Sequence, residues 1–432
     1  LPFDQQPLEL NADFTYALDQ LEKAGRNMFI TGRAGTGKST LLQLFRNTTR
    51  KKTVVLAPTG IAALNVKGQT IHSFFGFPPR VLTSKDIKKR RNRRLYKNLE
   101  VLIIDEISMV RADLLDNIDY FLRINREDPR PFGGVQLVFF GDLFQLPPVV
   151  ASDVESMLFQ LHYSSPYFFS ALVFQQQLEM EMLELQKVYR QENRHFLHLL
   201  DAIRMNAIDY DILNEFNERM IPNFDPPPFY ITLTATNATA DRINQKRLSE
   251  IAFPEKVYQA KVTGNFKPNL YPTEALLRLK LEAQVMFIKN DPDKKWVNGT
   301  IGKIVELKGD TIKVMIEDES GSANTVEVEK MDWEILKYKT QPTNPSAIET
   351  ETVGTFTQFP LKLAWAITIH KSQGKTFDKV VIDLGRGAFE HGQTYVALSR
   401  CRTLEGIVLN QPLRPRDIMT DERIIDFHRQ FS

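Results

Sequence analysis

The chain has 432 residues, more than a single hydrophobic core organises, so about two to four domains are expected. Its 42% hydrophobic and 25% charged residues are those of an ordinary globular protein, and no apolar run is long enough to span a bilayer. A net charge of only +2 gives no bulk sign of a polyanion binder, so any basic surface must be local, and the single cysteine, Cys401, excludes internal disulfides and cysteine-based zinc clusters and fits a reducing compartment.

Along the first 150 or so residues, apolar strands alternate with amphipathic stretches, the α/β pattern. Strands are predicted at 27–31, 53–57, 101–105 and 135–140. The first leads into Gly32-Arg33-Ala34-Gly35-Thr36-Gly37-Lys38-Ser39 and then a helix from Thr40. That order is the one a phosphate-binding loop requires. Its glycines turn backbone N–H groups toward a phosphate, and the helix N-terminus adds partial positive charge. Gly32, Ala34, Gly35, Thr36, Gly37, Lys38, Ser39 and Thr40 are the candidate nucleotide contacts. Lys38 would reach the β- and γ-phosphates and Ser39 would ligate Mg²⁺.

Ala57-Pro58-Thr59-Gly60 is a second strand-end loop feeding a helix, suited to a nucleic-acid phosphate. Thr70 to Phe77 mixes hydroxyls with aromatics, which can stack on unpaired bases or fill a core. His72 has no ligand-type neighbours and is not read as a metal site. Lys85, Lys88, Lys89, Arg90, Arg91, Arg93, Arg94 and Lys97 form a basic run opposed only by Asp86. It reads either as a solvated face or flexible loop, or as a phosphate contact. Val101-Leu102-Ile103-Ile104 is a buried parallel strand ending in Asp105 and Glu106. Asp105 would hold hydrated Mg²⁺, and Glu106 would polarise the attacking water. Gln145, after the strand 135–140, is placed to sense a γ-phosphate.

From about 166 to 220 the pattern reads as helical, with Glu179 to Arg204 carrying a helical apolar face. Arg190, and Arg400 within Val396-Ala397-Leu398-Ser399-Arg400, are candidates to stabilise phosphoryl charge. Phe229 to Leu233 restarts the strand–loop–helix pattern, and short strands with turn signals between about 283 and 340 read as an antiparallel barrel inserted into this second α/β domain. His370-Lys371-Ser372-Gln373-Gly374 is a polar loop after an apolar strand.

Taken in this order, the phosphate loop, Asp105-Glu106-Ile107-Ser108-Met109, Gly141 to Pro148, Leu183 to Gln191, His370 to Gly374 and Val396 to Arg400 resemble the Pif family of 5′-to-3′ DNA helicases of superfamily 1. The resemblance covers nearly the whole chain. It implies an α/β architecture of two RecA-like P-loop domains with ATP between them, a small wedge inserted in the first and an all-β, Src-homology-type barrel inserted in the second. The expected boundaries are 1–170 with the wedge at 64–77, then 171–245 with 351–432, and the barrel at 246–350. It implies catalytic roles for Lys38, Asp105, Glu106, Gln145, Arg190 and Arg400, with Gly374 near the γ-phosphate. It also implies DNA contacts at Pro58, Thr59, Asn65, Thr70, His72, Ser73, Phe75, Thr236, His370 and Lys371. The family often carries an adenine-reading glutamine just after a Leu-Asn pair. Here Leu10-Asn11 is followed by Ala12, and Asn11 is the remaining candidate.

The activity implied is an ATP- and Mg²⁺-dependent helicase acting on single-stranded DNA and single/double-strand junctions as a monomer. G-quadruplexes and RNA–DNA hybrids are further substrates of the family, and DNA repair, recombination and telomere maintenance its settings. Two other readings stay open: a RecD-like subunit of a nuclease complex, and a nucleotide-switched DNA-binding ATPase without unwinding. The chain begins at Leu1 and reads as truncated at its N-terminus. The expected compartment is the cytoplasm for a bacterial protein and the nucleus or mitochondrion for a eukaryotic one.

Overall fold

The computed structural model describes residues 11–82, 85–148, 163–176, 178–187, 193–317 and 321–430. They fall into two compact units. The first is built from the described residues of 11–187 together with Glu334–Gly354 and 421–430, the second from 193–333 and 355–420. No helix of the described residues is long and apolar enough to cross a membrane.

The first unit is organised by a six-stranded sheet. Its strands are β1 (Met28–Gly32), β2 (Thr53–Ala57), β3 (Gln69–Thr70), β4 (Val101–Ile104), β5 (Gln136–Phe140) and β6 (Glu181–Leu185), in the order β3-β2-β4-β5-β1-β6. All neighbours pair in parallel. The near-continuous apolar runs of β1, β2, β4 and β5 are what a sheet covered on both faces requires. Helix α1 (Ala12–Asp19) starts at Asn11, whose Oδ1 accepts from the Phe14 N–H at 2.8 Å. Helix α2 (Lys38–Thr48) buries Leu41, Leu42 and Phe45 against Phe14, Met28, Ile30, Val55, Val138 and Phe140. Next come α3 (Gly60–Asn65), α4 (Ile71–Phe75), α5 (Arg94–Asn98) and the 15-residue α6 (Ala112–Arg126). A parallel sheet places all strand C-termini on one edge, where ligands bind.

Two sequence expectations change here. Among the described residues of the predicted helix over Glu179 to Arg204, only α7 (Arg194–Arg204) is helical. Glu181–Leu185 is instead a strand, in register with β1 from Met28↔Glu181 to Gly32↔Leu185. The edge of β1 needs a hydrogen-bonding partner, and this outweighs the weak helical preference of a five-residue stretch. The first unit therefore extends past 170. Within 64–77, where the wedge is expected, Gln69–Thr70 is a strand of the main sheet and Phe74, Phe75 and Phe77 are buried.

The second unit has a four-stranded parallel sheet of β7 (Ile231–Thr234), β8 (Ala366–Thr368), β9 (Val380–Asp383) and β10 (Ile407–Leu409), ordered β8-β7-β9-β10. Helices α8 (Tyr210–Asn217), α9 (Asn237–Glu250) and α10 (Gln393–Leu398) belong to it. Between β7 and β8 lies the all-β segment. Its five-stranded antiparallel sheet joins Gln284–Phe287, Ile301–Leu307, Ile312–Glu317, Ala323–Val328 and Leu361–Leu363 around Val285, Phe287, Trp296, Ile304, Val314 and Leu361. The expected boundaries of 246–350 shift, because α9 continues through Glu250 and Leu361–Leu363 closes the sheet against Gln284–Phe287. Residues Glu334–Gly354, expected to close the barrel, group with the first unit. So does the last helix, α11 (Glu422–Arg429), expected in the second.

Candidate nucleotide and nucleic-acid sites

In the first unit the phosphate loop joins β1 to α2. Gly32 has φ +145, and a Cβ there would stand 2.8 Å from Thr36 Oγ1 and 2.9 Å from the Leu185 carbonyl oxygen. Both the backbone conformation and the approach of β6 therefore require glycine. Gly35 and Gly37 are left-handed at φ +86 and +87. Thr36 is buried and its hydroxyl donates to the Arg33 carbonyl at 2.9 Å. Lys38 Nζ donates to the carbonyls of Gly32 (2.6 Å) and Arg33 (2.9 Å), which curls the loop around its ammonium. Ala34 is half-buried beside it, and Ser39 and Thr40 are exposed at the start of α2.

β4 delivers the two acids to the same edge of the sheet. Burial raises the Asp105 carboxyl above the usual range, the neighbouring Glu106 charge adds to this, and Lys38 opposes it. Glu106 sits in the left-handed region at φ 51, ψ 45. That conformation is uncommon for a non-glycine and clusters at functional sites. Beyond β5, buried Asp142 takes the Phe144 N–H on Oδ1 (3.1 Å) and the Gln145 side-chain amide on Oδ2 (3.2 Å). Asp142 thus aims Gln145. Sequence reasoning missed it, although an acid three residues before the expected sensor was a usable signal.

Asn11, the adenine candidate, spends its Oδ1 as the cap of α1. Thr59 and Thr70 are likewise helix caps, accepting from Ala62 N (3.2 Å) and Ser73 N (3.3 Å), so their hydroxyls mark helix starts at the C-terminal edge of the sheet. Pro58 is half-buried, and Thr59, Asn65 and Ser73 are exposed. His72 is half-buried; burial lowers its pKa, Arg111 adds to this and Asp113 opposes it, which favours the neutral ring. Phe75 is a correction. It is fully buried, stacked on Phe77 at 5.3 Å and edge-on to Phe121 at 5.2 Å, so it fills a core and offers no face to a base.

In the second unit, Thr236 caps α9 through Thr239 N. His370 and Lys371 are exposed on a short turn after β8, and His370 Nε2 meets Glu390 Oε2 at 2.7 Å. Gly374 is left-handed at φ +73. Arg400 is only 1% exposed. It donates to the carbonyls of Val396 (3.0 Å), Ser372 (3.4 Å) and Lys375 (3.3 Å) and to Ser399 Oγ (3.0 Å), which ties α10 to the 370–376 loop. Lys375 was not singled out from the sequence, although Gly374-Lys375-Thr376 is visible there. Burial, with the charges of Arg400 and Lys362, lowers its pKa to about 8. Arg190 lies outside the described residues.

Comparison with known proteins fits this arrangement. The family model for PIF1-like helicases matches residues 9–211. The ATP-dependent DNA helicase Pif1 of Bdellovibrio bacteriovorus is 33% identical over 98% of this chain and 93% of its own length. The chain spans a smaller share of the human relative, 61%, at 33% identity. Among solved structures, Bacteroides sp Pif1 in complex with ADP-AlF4 superposes with a TM-score of 0.91 at 37% identity, covering 98% of this chain and 97% of that one.

Proposed function

The chain belongs to the PIF1-like helicase family, and from that premise we propose that it couples ATP hydrolysis to 5′-to-3′ movement on single-stranded DNA and separates the duplex ahead of it. It is an ATP-dependent DNA helicase by its kinship. The observation that carries the reading is the assembly of Lys38, Asp105, Glu106 and Gln145 at one edge of the first sheet.

The ammonium of Lys38 binds the β- and γ-phosphates, and loop N–H groups complete the cradle. Glu106 takes a proton from the attacking water, and Gln145, held by Asp142, hydrogen-bonds to the phosphoryl group. Arg400 supplies positive charge against the phosphoryl oxygens, with Gly374 beside it, and Arg190 is a second candidate for that role. Mg²⁺ fits these residues, because the Ser39 hydroxyl and Asp105 carboxylate are hard oxygen donors and the raised Asp105 carboxyl marks buried negative charge that a divalent cation offsets. When bound it would neutralise developing charge on the phosphate oxygens. DNA phosphates are held by the helix starts at Thr59, Thr70 and Thr236 and by His370 and Lys371, with Pro58, Asn65, His72 and Ser73 alongside. Hydrolysis changes the affinity of these loops for the strand, which is the differential that movement requires. G-quadruplexes and RNA–DNA hybrids are further proposed substrates.

The test is strand separation on two partial duplexes of equal sequence, one with a 5′ tail and one with a 3′ tail, with and without ATP and Mg²⁺. ATP-dependent unwinding of the 5′-tailed duplex alone is expected. Unwinding of only the 3′-tailed duplex would overturn the polarity, and DNA-stimulated hydrolysis without unwinding of either would reduce the protein to a nucleotide-switched binder or a partner-dependent subunit.

A further inference from the structure

The basic run between Lys85 and Lys97 is not uniform, and the structure sorts its eight cations by what they do. Lys89, Arg93 and Lys97 converge on one carboxylate, Glu127, at 2.5, 2.7 and 2.8 Å. Arg90 donates to the Phe75 carbonyl at 2.6 Å, and its backbone N–H donates to Asn125 Oδ1 at 2.8 Å. Buried Tyr96 donates to the Phe74 carbonyl at 3.0 Å. These bonds fix the path of the segment, so it is not a floppy tether. The side chains of Lys85, Lys88, Arg91 and Arg94 are exposed and make no ion pair or hydrogen bond among the described residues.

Glu127 shows that this surface is organised. It follows α6 in the left-handed region at φ +59, where glycine or asparagine is the ordinary choice. Its three cations hold its carboxyl well below the usual carboxylate range. One acid gathering three bases leaves the cluster strongly positive while setting the spacing of its charges.

We propose that this surface binds the phosphate backbone of duplex DNA. One observation favours duplex over single strand. The only aromatic residue between 85 and 97 is Tyr96, which is buried, so the surface has no platform on which an unpaired base could stack. Exposed cations without base-reading groups suit B-form phosphates, which are denser in charge than a single strand and sequence-blind.

The experiment measures binding of the full chain to a 5′-tailed duplex and to the tail sequence alone, between about 50 and 200 mM salt. In the variant combining Lys85→Gln, Lys88→Gln, Arg91→Gln and Arg94→Gln, the slope of log K against log salt should fall by roughly 2–4 for the tailed duplex, at about 0.9 per phosphate contact. The slope for the single strand and the rate of DNA-stimulated ATP hydrolysis should stay put, which also reports that the variant folds. In the opposite direction, Glu127→Gln adds one net positive charge and should tighten duplex binding with a steeper slope, a gain that structural damage does not produce. Unchanged slopes on both DNAs would overturn the proposal and leave an acidic protein surface as the partner. An equal fall on both would overturn it in favour of the single strand.

Discussion

Lys375 carries a charge that its own surroundings oppose. Burial, Arg400 and Lys362 lower its pKa from 10.5 to about 8. The folded protein thus disfavours the protonated lysine that the unfolded chain accepts. Below about 8 the ammonium must be carried in the fold and the penalty is full. Between about 8 and 10.5 it fades, because the folded chain releases the proton there while the unfolded chain still holds it, and above 10.5 both are neutral. Lys375→Met should therefore melt above wild type at pH 7, by at most about 3 kcal/mol, and calorimetry across pH should show the gap closing toward pH 10.5. A gap independent of pH would mean that packing and not charge sets the difference. Arg400, whose guanidinium braces the same loop, allows a sharper test. Arg400→Ala should lower the rate of ATP hydrolysis by about 100-fold or more, and Arg400→Lys should recover little, because a point charge does not reproduce the fork. Equal hydrolysis by Arg400→Lys and wild type would reduce Arg400 to a brace. At this scale the sequence was informative wherever chemistry fixes spacing. Glycines, Lys38 and Ser39 announce a phosphate loop because few other sequences make one. Glu390 acts through His370, distant in the chain, and Lys375 through burial, and a sequence read one segment at a time does not display either.

At the scale of elements, the errors fell where a strand's partner lies far along the chain. Glu181-Met182-Leu183-Glu184-Leu185 suits a helix face as well as a strand, and only the free edge of β1 decides between them. The strand pair Met331–Thr340 and Ile348–Gln358 shows the same effect. Its composition reads as barrel, yet residues Glu334–Gly354 belong to the first unit. Tyr338 explains the attachment. Its hydroxyl accepts from the Val55 N–H of β2 at 3.1 Å, and its own N–H donates to Gln69 Oε1 at 2.9 Å. β3 is two residues long and pairs with β2 only at Leu56 and Ala57, so this tyrosine takes up a backbone donor the sheet leaves over. Tyr338→Phe should lower stability by about 1–3 kcal/mol, because it strands a buried N–H while keeping the ring edge-on to Phe74 at 6.1 Å. Hydrogen exchange at Val55 should rise in step. Unchanged exchange there would show that another acceptor, such as an ordered water, replaces the hydroxyl.

At the scale of the molecule, each unit offers loops suited to phosphates, and movement along a strand needs both sets to engage. The candidate contacts in the first unit are the helix starts at Thr59 and Thr70; in the second they are Thr236 and the His370-Lys371 turn. A net charge of +2 adds little general attraction, so protection from hydrogen exchange on adding DNA should be confined to such places. With a single-stranded oligonucleotide, peptides over 57–73, 234–239 and 368–376 should all exchange more slowly, and a Lys38→Ala protein should retain this protection while losing protection of 31–40 by an ATP analogue. Protection in the first unit alone would leave the second with no grip on the strand, and alternation of grip could not then move the protein. Protection in both that is the same with and without the analogue would be equally damaging, because a ligand that binds two states with equal affinity shifts neither. Only a grip that changes with nucleotide in at least one unit converts hydrolysis into displacement.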